Sequence, residues 1–263
     1  MNTTKLLSAS LLSLSLSLGA CAAQNDEPLT NEDYDDIAVG IGSLVAMPGG
    51  GGEVGSMADA SVTATSGSLL DVELGVASAE GSSAHEVVIR AGLEYEYLVD
   101  CFDADGAAQD ACGALTDSAE VSLSWNGELD TPRYDATITR TGEWSLTGLQ
   151  GDTAELNGTG SFDASSSFMA IYRDVSRSLE LSYDAQYQGV LIDTATHQVV
   201  GGSISYSVQG ERSVQRGDNE RTGSFSVNAE VSFSADGVAT LVLDGTRSYQ
   251  INVITGVVVS DNQ

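Results

Sequence analysis

RSLELSYDAQY, residues 177–187, decides the fold class. Leu179, Leu181, Tyr183, Ala185 and Tyr187 alternate with Glu180, Ser182, Asp184 and Gln186. Successive side chains on a β-strand point to opposite faces, so this alternation describes a strand with one dry side and one wet side. The pattern recurs upstream. GLEYEYLVD, residues 92–100, puts Leu93, Tyr95, Tyr97 and Val99 on one side, and AEVSLSWNG, residues 119–127, does so with Val121, Leu123 and Trp125. Ser, Thr, Glu and Asp fill most of the intervening positions. From about residue 60 onward the period is two, which predicts antiparallel sheet with one solvated face.

Turn signals punctuate that region at short intervals: Asn126-Gly127, Asn157-Gly158, Arg216-Gly217-Asp218-Asn219, Asp236-Gly237 and Asp244-Gly245. Such dipeptides tolerate the positive φ that tight hairpins need. They imply on the order of a dozen strands in a meander, folded as a sandwich or partial barrel. The predicted class is all-β, mainly antiparallel, with one short N-terminal helix. An internal echo runs through the strands. Ser122–Trp125 resembles Ser203–Tyr206, and Arg140–Ser145 resembles Arg221–Ser226, both at the same offset; Asn157–Phe162 resembles Asp244–Tyr249 at a slightly larger one. This suggests a duplicated meander, about 119–163 and 200–250.

The helix is expected over residues 31–48. Tyr34, Ile37, Ile41, Leu44 and Val45 fall on one helical face, Thr30 or Asn31 can cap the start, and Asp33, Asp35 and Asp36 suit the positive end of the helix dipole. Pro48 and the following glycines end it. Residues 49–60 read as a glycine-rich loop. Within it GGGEVG, residues 50–55, spells G-x-G-x-x-G, but no strand precedes it and no convincing helix follows, so it is not a dinucleotide site. Residues 61–263 form the β domain.

The first residues give a compartment. Lys5 precedes an apolar run, Leu6–Leu18, which is shorter than the about 20 residues that span a bilayer and suits the core of an export signal. Leu18-Gly19-Ala20-Cys21 then resembles the lipobox of bacterial lipoproteins. That resemblance implies a signal peptide over residues 1–20, cleavage before Cys21, and acylation of Cys21, leaving residues 21–30 as a tether. It also implies a bacterial cell envelope location, with the membrane as partner through the lipid. The second position of the lipidated chain, directly after Cys21, is Ala22 and not Asp, which in such lipoproteins of two-membrane bacteria goes with the outer membrane. Buried acyl methylenes contribute about 0.8 kcal/mol each, so two or more chains anchor stably. The whole chain is similar to uncharacterised bacterial lipoproteins with a short acidic helix, a GGGGEVGS-like loop and Ser/Thr-rich strands. That likeness implies an architecture, not an activity.

With Cys21 assigned to lipid, Cys101 and Cys112 remain, and an oxidising compartment favours a disulfide between them. They bracket CFDADGAAQDAC, residues 101–112. Its centre aligns Asp103, Asp105 and Gly106 with the EF-hand calcium pattern, but Cys101 and Cys112 occupy the two end-ligand positions. Asp103, Asp105 and Asp110 are the carboxylates a calcium site would use; a solvated loop clipped by a disulfide is the simpler reading. No cofactor is implied.

The chain carries 38 acidic residues against 10 Lys and Arg, a net charge of −28. Removing Lys5 with the signal makes this −28 − 1 = −29, and the positive residues left are all Arg. Such a surface repels nucleic acid and anionic membrane alike. Chemistry is hard to find. His85-Glu86-Val87-Val88-Ile89 starts like H-E-x-x-H but has Ile at the second ligand position, and it reads as strand; His197 sits in an expected turn, Asp193–His197. There is no G-x-S-x-G. Arg216-Gly217-Asp218 spells an adhesion tripeptide in an expected hairpin turn. Arg140 and Arg221, with Trp144 and Phe225, form the most regular polar-aromatic feature, explained by cross-strand pairing. The sequence points first to a lipid-anchored, non-enzymatic envelope protein with a structural or interaction role. A binder of an apolar or lipid ligand in a curved-sheet cavity comes second, and a carboxylate-based hydrolase third. The protein or small-molecule partner is left unspecified.

Overall fold

The computed structural model describes residues 29–46, 52–67, 84–90, 93–131, 134–170, 175–217 and 219–261. Cys21, with the signal and tether, lies outside them, as do Pro48 and Asp218.

The period-two segments form one antiparallel sheet of 11 strands, and every strand pairs with its neighbours in sequence. The strands are β1 (Ala84–Arg90), β2 (Leu93–Phe102), β3 (Ser118–Thr131), β4 (Tyr134–Thr147), β5 (Thr153–Ala170), β6 (Val175–Asp193), β7 (Val199–Arg216), β8 (Asn219–Phe233), β9 (Val238–Leu243), β10 (Arg247–Asn252) and β11 (Val258–Ser260). The His85–Ile89 segment is strand, as its pattern predicts. The meander is a single sheet with β1 and β11 at its edges, so the described residues form neither a second sheet nor a β1–β11 closure.

One face of the sheet is dry. Tyr95, Tyr97, Val99, Val121, Leu123, Trp125, Tyr183, Ala185 and Tyr187 are all buried, as the alternation requires, while Leu179 and Leu181, nearer the strand end, are half-buried. Two helices lie on that face. α1 (Asn31–Val45) packs on β9, β10 and β11, and α2 (Glu53–Ser66) packs on β1, β2, β3 and β7. Thr30 caps α1: its side chain accepts from the Asp33 N–H, and Asp33 reaches back to the Thr30 N–H at 2.9 Å. Ala38, Ile41 and Val45 are buried along its inner stripe. Two tyrosines tie the helix to the sheet. Tyr249 donates to Asp35 at 2.9 Å, and Tyr34 donates to Asp244 at 2.7 Å.

α2 corrects the expectation of a glycine-rich loop over residues 49–60 and of strand from residue 60; the described residues hold two helices where one was expected. Its composition hides it. Val54, Val62, Thr63 and Thr65 are β-branched and Gly55 is flexible, all weak helix formers. The hydroxyls bond within the helix instead: Ser56, Thr63, Thr65 and Ser66 each donate to the carbonyl four residues back. Burial against the sheet supplies the rest, since nine of its residues are buried. Gly67, with φ 75°, closes its C-terminus in the left-handed conformation.

Two expected turns are also corrected. Asn126-Gly127 lies inside β3, where Gly127 is opposite Leu93 and Ile138. Asn157-Gly158 lies inside β5 at a bulge in the pairing with β6. The other three signals do mark reversals, between β7 and β8, β8 and β9, and β9 and β10. At the last of these Asp244 and Gly245 both have positive φ, 48° and 65°. The sequence echo does not extend to register. β3 and β4 set Trp125 opposite Arg140, whereas β7 and β8 set Tyr206 opposite Ala229 and Arg221 opposite Val214.

Candidate functional site

Across the middle of the dry face, the registers of β2 to β6 align three rows of side chains. The first runs Tyr95, Trp125, Arg140, Phe162, Tyr183; Arg140 is its only charged residue in a line of rings. The second runs Leu123, Gly142, Gly160, Ala185. The third runs Val121, Trp144, Gly158, Tyr187. Small residues in the second row leave a hollow between two rows of large ones. The space is needed: a Cβ on Gly142 would sit 3.2 Å from the Trp144 indole, and one on Gly160 would sit 3.1 Å from the Tyr187 hydroxyl. Gly158 is held by its backbone as well, with φ 152° and a Cβ position 2.2 Å from the Glu143 carbonyl oxygen.

Glu53, the first residue of α2, reaches this site. Tyr183 donates to its Oε1 at 2.5 Å, Tyr187 donates to Oε2 at 2.5 Å, and Arg140 Nη2 donates to Oε2 as a buried ion pair. Arg140 Nη1 donates to Ser56 Oγ at 3.0 Å, one helical turn further on. The guanidinium lies 5.6 Å from the Trp125 ring and 5.7 Å from the Trp144 ring. The helix N-terminus adds favourable potential for the carboxylate. Asp59 and Ser61 continue the polar seam: Tyr97 donates to Asp59 at 3.2 Å, and Ser61 Oγ is 3.1 Å from His197 Nδ1.

Charge and burial set the protonation states. Burial opposes the Arg140 charge, but the Glu53 carboxylate outweighs it and holds the guanidinium above its usual range. Burial first, and the Glu53 charge second, push the Tyr183, Tyr187 and Tyr206 phenols well above their ordinary value. Arg140 Nε, the indole nitrogens of Trp125 and Trp144, and the Tyr206 hydroxyl are buried without a hydrogen-bond partner among the described residues. The arrangement is a carboxylate receptor whose occupant is a side chain of the same molecule.

The other predicted site residues lie elsewhere. Cys101 and Cys112 form a disulfide, with Cα atoms 5.4 Å apart. Asp103 Oδ1 accepts from the N–H groups of Asp105 and Ala107, so it shapes the loop, while Asp105 and Asp110 are exposed. Among the described residues no three His, Cys, Asp or Glu side chains gather as a metal set. His85 Nε2 lies 2.9 Å from Glu96. Arg221, the sequence counterpart of Arg140, is exposed. Glu53 escapes a motif search; its one signal is that it is the only charged residue between Asp36 and Asp59. No family model matches this chain, no curated protein is similar to it, and no solved structure matches its fold.

Proposed function

We propose that this chain is a lipid-anchored protein of the bacterial cell envelope, most consistent with the outer membrane, held through Cys21 and serving a structural or interaction role. The observation that carries the non-catalytic part is the filling of the dry face. Where a cavity or a catalytic carboxylate pair would sit, α1 and α2 pack against the sheet, and the buried carboxylate Glu53 is engaged by Arg140, Tyr183 and Tyr187. The anchor rests on the lipobox-like Leu18–Cys21 stretch. Expression of the full chain in a bacterium tests it: mass spectrometry should find acyl chains on Cys21, and Cys21→Ser should abolish them and release the protein from membranes. An exported native chain with an unmodified Cys21 would refute the anchor.

A second reading, an apolar or lipid ligand that takes the place of α2, is favoured in its lipid form by Arg140 Nε, the Trp125 and Trp144 indole nitrogens and the Tyr206 hydroxyl, buried polar atoms without a partner among the described residues that a lipid head group would satisfy. Trp125 and Trp144, the only tryptophans, flank the Arg140 guanidinium, so their fluorescence reports on it directly. A saturable change with added fatty acid supports this reading; a flat titration eliminates it.

A further inference from the structure

A chain of net charge −28 has few cations to place, and the sheet places four of them together. Near the free ends of β6, β7 and β8, one cross-strand row reads Phe168, Arg177, Val214, Arg221. Arg212 and Arg216 flank Val214 on the same side of β7. Strand residues two apart share a face, so Arg177 lies on the side of buried Tyr183, Arg212 and Arg216 on the side of buried Val208, and Arg221 on the side of buried Val227. All four therefore belong to the helix-bearing face. The acids of the same strand ends, Glu180, Glu211 and Glu220, are at alternate positions and fall on the opposite face. The sheet thus sorts charge by side, and its overall acidity does not describe this corner.

The corner is also apolar and open. Phe168 is 44% exposed and Val214 37% exposed. Leu179, one step inward, is only half-buried. Exposed rings and aliphatic groups among arginines suit a surface that is anionic and apolar at once. Guanidinium pairs bidentately with phosphate, and apolar side chains enter the region beneath it.

The path of the chain points to the same place. Asp33, in the first turn of α1, lies 3.7 Å from Arg212. The tether therefore joins the folded body beside this corner. From Cys21 to Thr30 it spans 30 − 21 = 9 residue steps, which reach at most about 30 Å when fully extended. A lipid on Cys21 would keep this corner, and not the acidic face, close to the bilayer.

We infer that the β5–β8 strand ends, with Phe168, Val214, Arg177, Arg212, Arg216 and Arg221, are a docking surface for an anionic lipid bilayer. The inference deepens the anchored reading by giving the protein an orientation, and it rests on that reading for the geometry of the tether.

The test uses the exported protein purified from the envelope, with Cys21 analysed by mass spectrometry in the same sample. Phe168→Trp reports on the corner, and Ser182→Trp reports on the polar face. Vesicles of brominated phosphatidylglycerol should quench the tryptophan at position 168 and leave that at 182 unaffected. Arg177→Gln, Arg216→Gln and Arg221→Gln combined, sparing Arg212 and its Asp33 contact, should weaken the interaction at least ten-fold on phosphatidylglycerol, with an unchanged melting temperature. On phosphatidylcholine the same variant should behave like the parent. Equal quenching at both positions, no quenching at 168, or a triple variant that behaves like the parent on anionic vesicles would overturn the surface. The two proposals fail separately. An acylated Cys21 with an unquenched tryptophan at 168 keeps the anchor and removes the docking surface, and an unmodified Cys21 with a quenched one does the reverse.

Discussion

Glu53 and Arg140, 87 residues apart in sequence, form an ion pair whose side chains are 0% and 1% exposed. Removing two charges from water costs several kcal/mol each, and their mutual attraction offsets this only when the geometry is good and the remaining lone pairs and protons are satisfied. Here Tyr183, Tyr187 and Ser56 satisfy most of them. An apolar pair would hold α2 as strongly; the ionic one fixes where its first turn sits, because a helix shifted by one residue would carry the carboxylate away from Arg140.

Breaking the pair from either side should therefore cost more than removing both charges. Glu53→Gln and Arg140→Met should each lower stability by about 3–5 kcal/mol, since each leaves a buried charge without its partner. Glu53→Met combined with Arg140→Met should recover most of that loss, to within about 1–2 kcal/mol of the parent. Urea denaturation of the single and double variants measures the coupling directly. Strictly additive losses would show that the two groups do not act as a pair.

The tyrosines around Glu53 predict how the fold fails in alkali. Their native form is the neutral phenol, and burial followed by the Glu53 charge raises Tyr183, Tyr187 and Tyr206 well above the usual value. Burial and the Asp35 hydrogen bond bring Tyr249 to about 12. The stability contributed by a raised group is complete below its unfolded value, about 10 for a phenol, and is lost as pH climbs through the folded one. Phenolate absorbance should show a late stage, well above pH 10, in which Tyr183, Tyr187 and Tyr206 ionise as the protein unfolds. Tyr187→Phe should shrink the late stage. A single smooth titration of all nine tyrosines near pH 10 would contradict the site as described.

What was legible in the sequence depended on the range of the interaction that fixes it. The strands show because a sheet with one dry face imposes its alternation residue by residue, from Tyr95 to Tyr249. Hairpin dipeptides were legible only in part. Asp236-Gly237 reports a local tolerance for positive φ and sits where the chain reverses; Asn126-Gly127 reports the same tolerance, but the partner strands continue past it on both sides. α2 was not legible, since its hydroxyl-rich sequence becomes helical through burial. The pairing of Glu53 with Arg140 was invisible, because no local pattern records a contact across 87 residues. The cysteine pair was legible from their number and the inferred compartment alone.

The loop from Cys101 to Cys112 yields the last prediction. Asp103 Oδ1 accepts from two backbone N–H groups, Phe102 and Ala108 form a bridge, and Gln109 N–H donates to the Cys101 carbonyl at 2.8 Å. The loop is thus closed by its own backbone as well as by the disulfide. In the chain-entropy account, reduction should cost about 3 kcal/mol. Asp103→Ala should cost about 1–2 kcal/mol by leaving two N–H groups without their acceptor, whereas Asp103→Asn, which keeps that oxygen, should cost far less. Calcium and magnesium at equal ionic strength should shift the melting temperature alike, through screening of a strongly acidic surface. A bound calcium would behave differently, stabilising in proportion to RT ln(1 + [L]/Kd) at low concentration. A calcium-selective rise at micromolar ion that Asp103→Asn abolishes would make the loop a metal site and Asp103 a ligand instead of a cap.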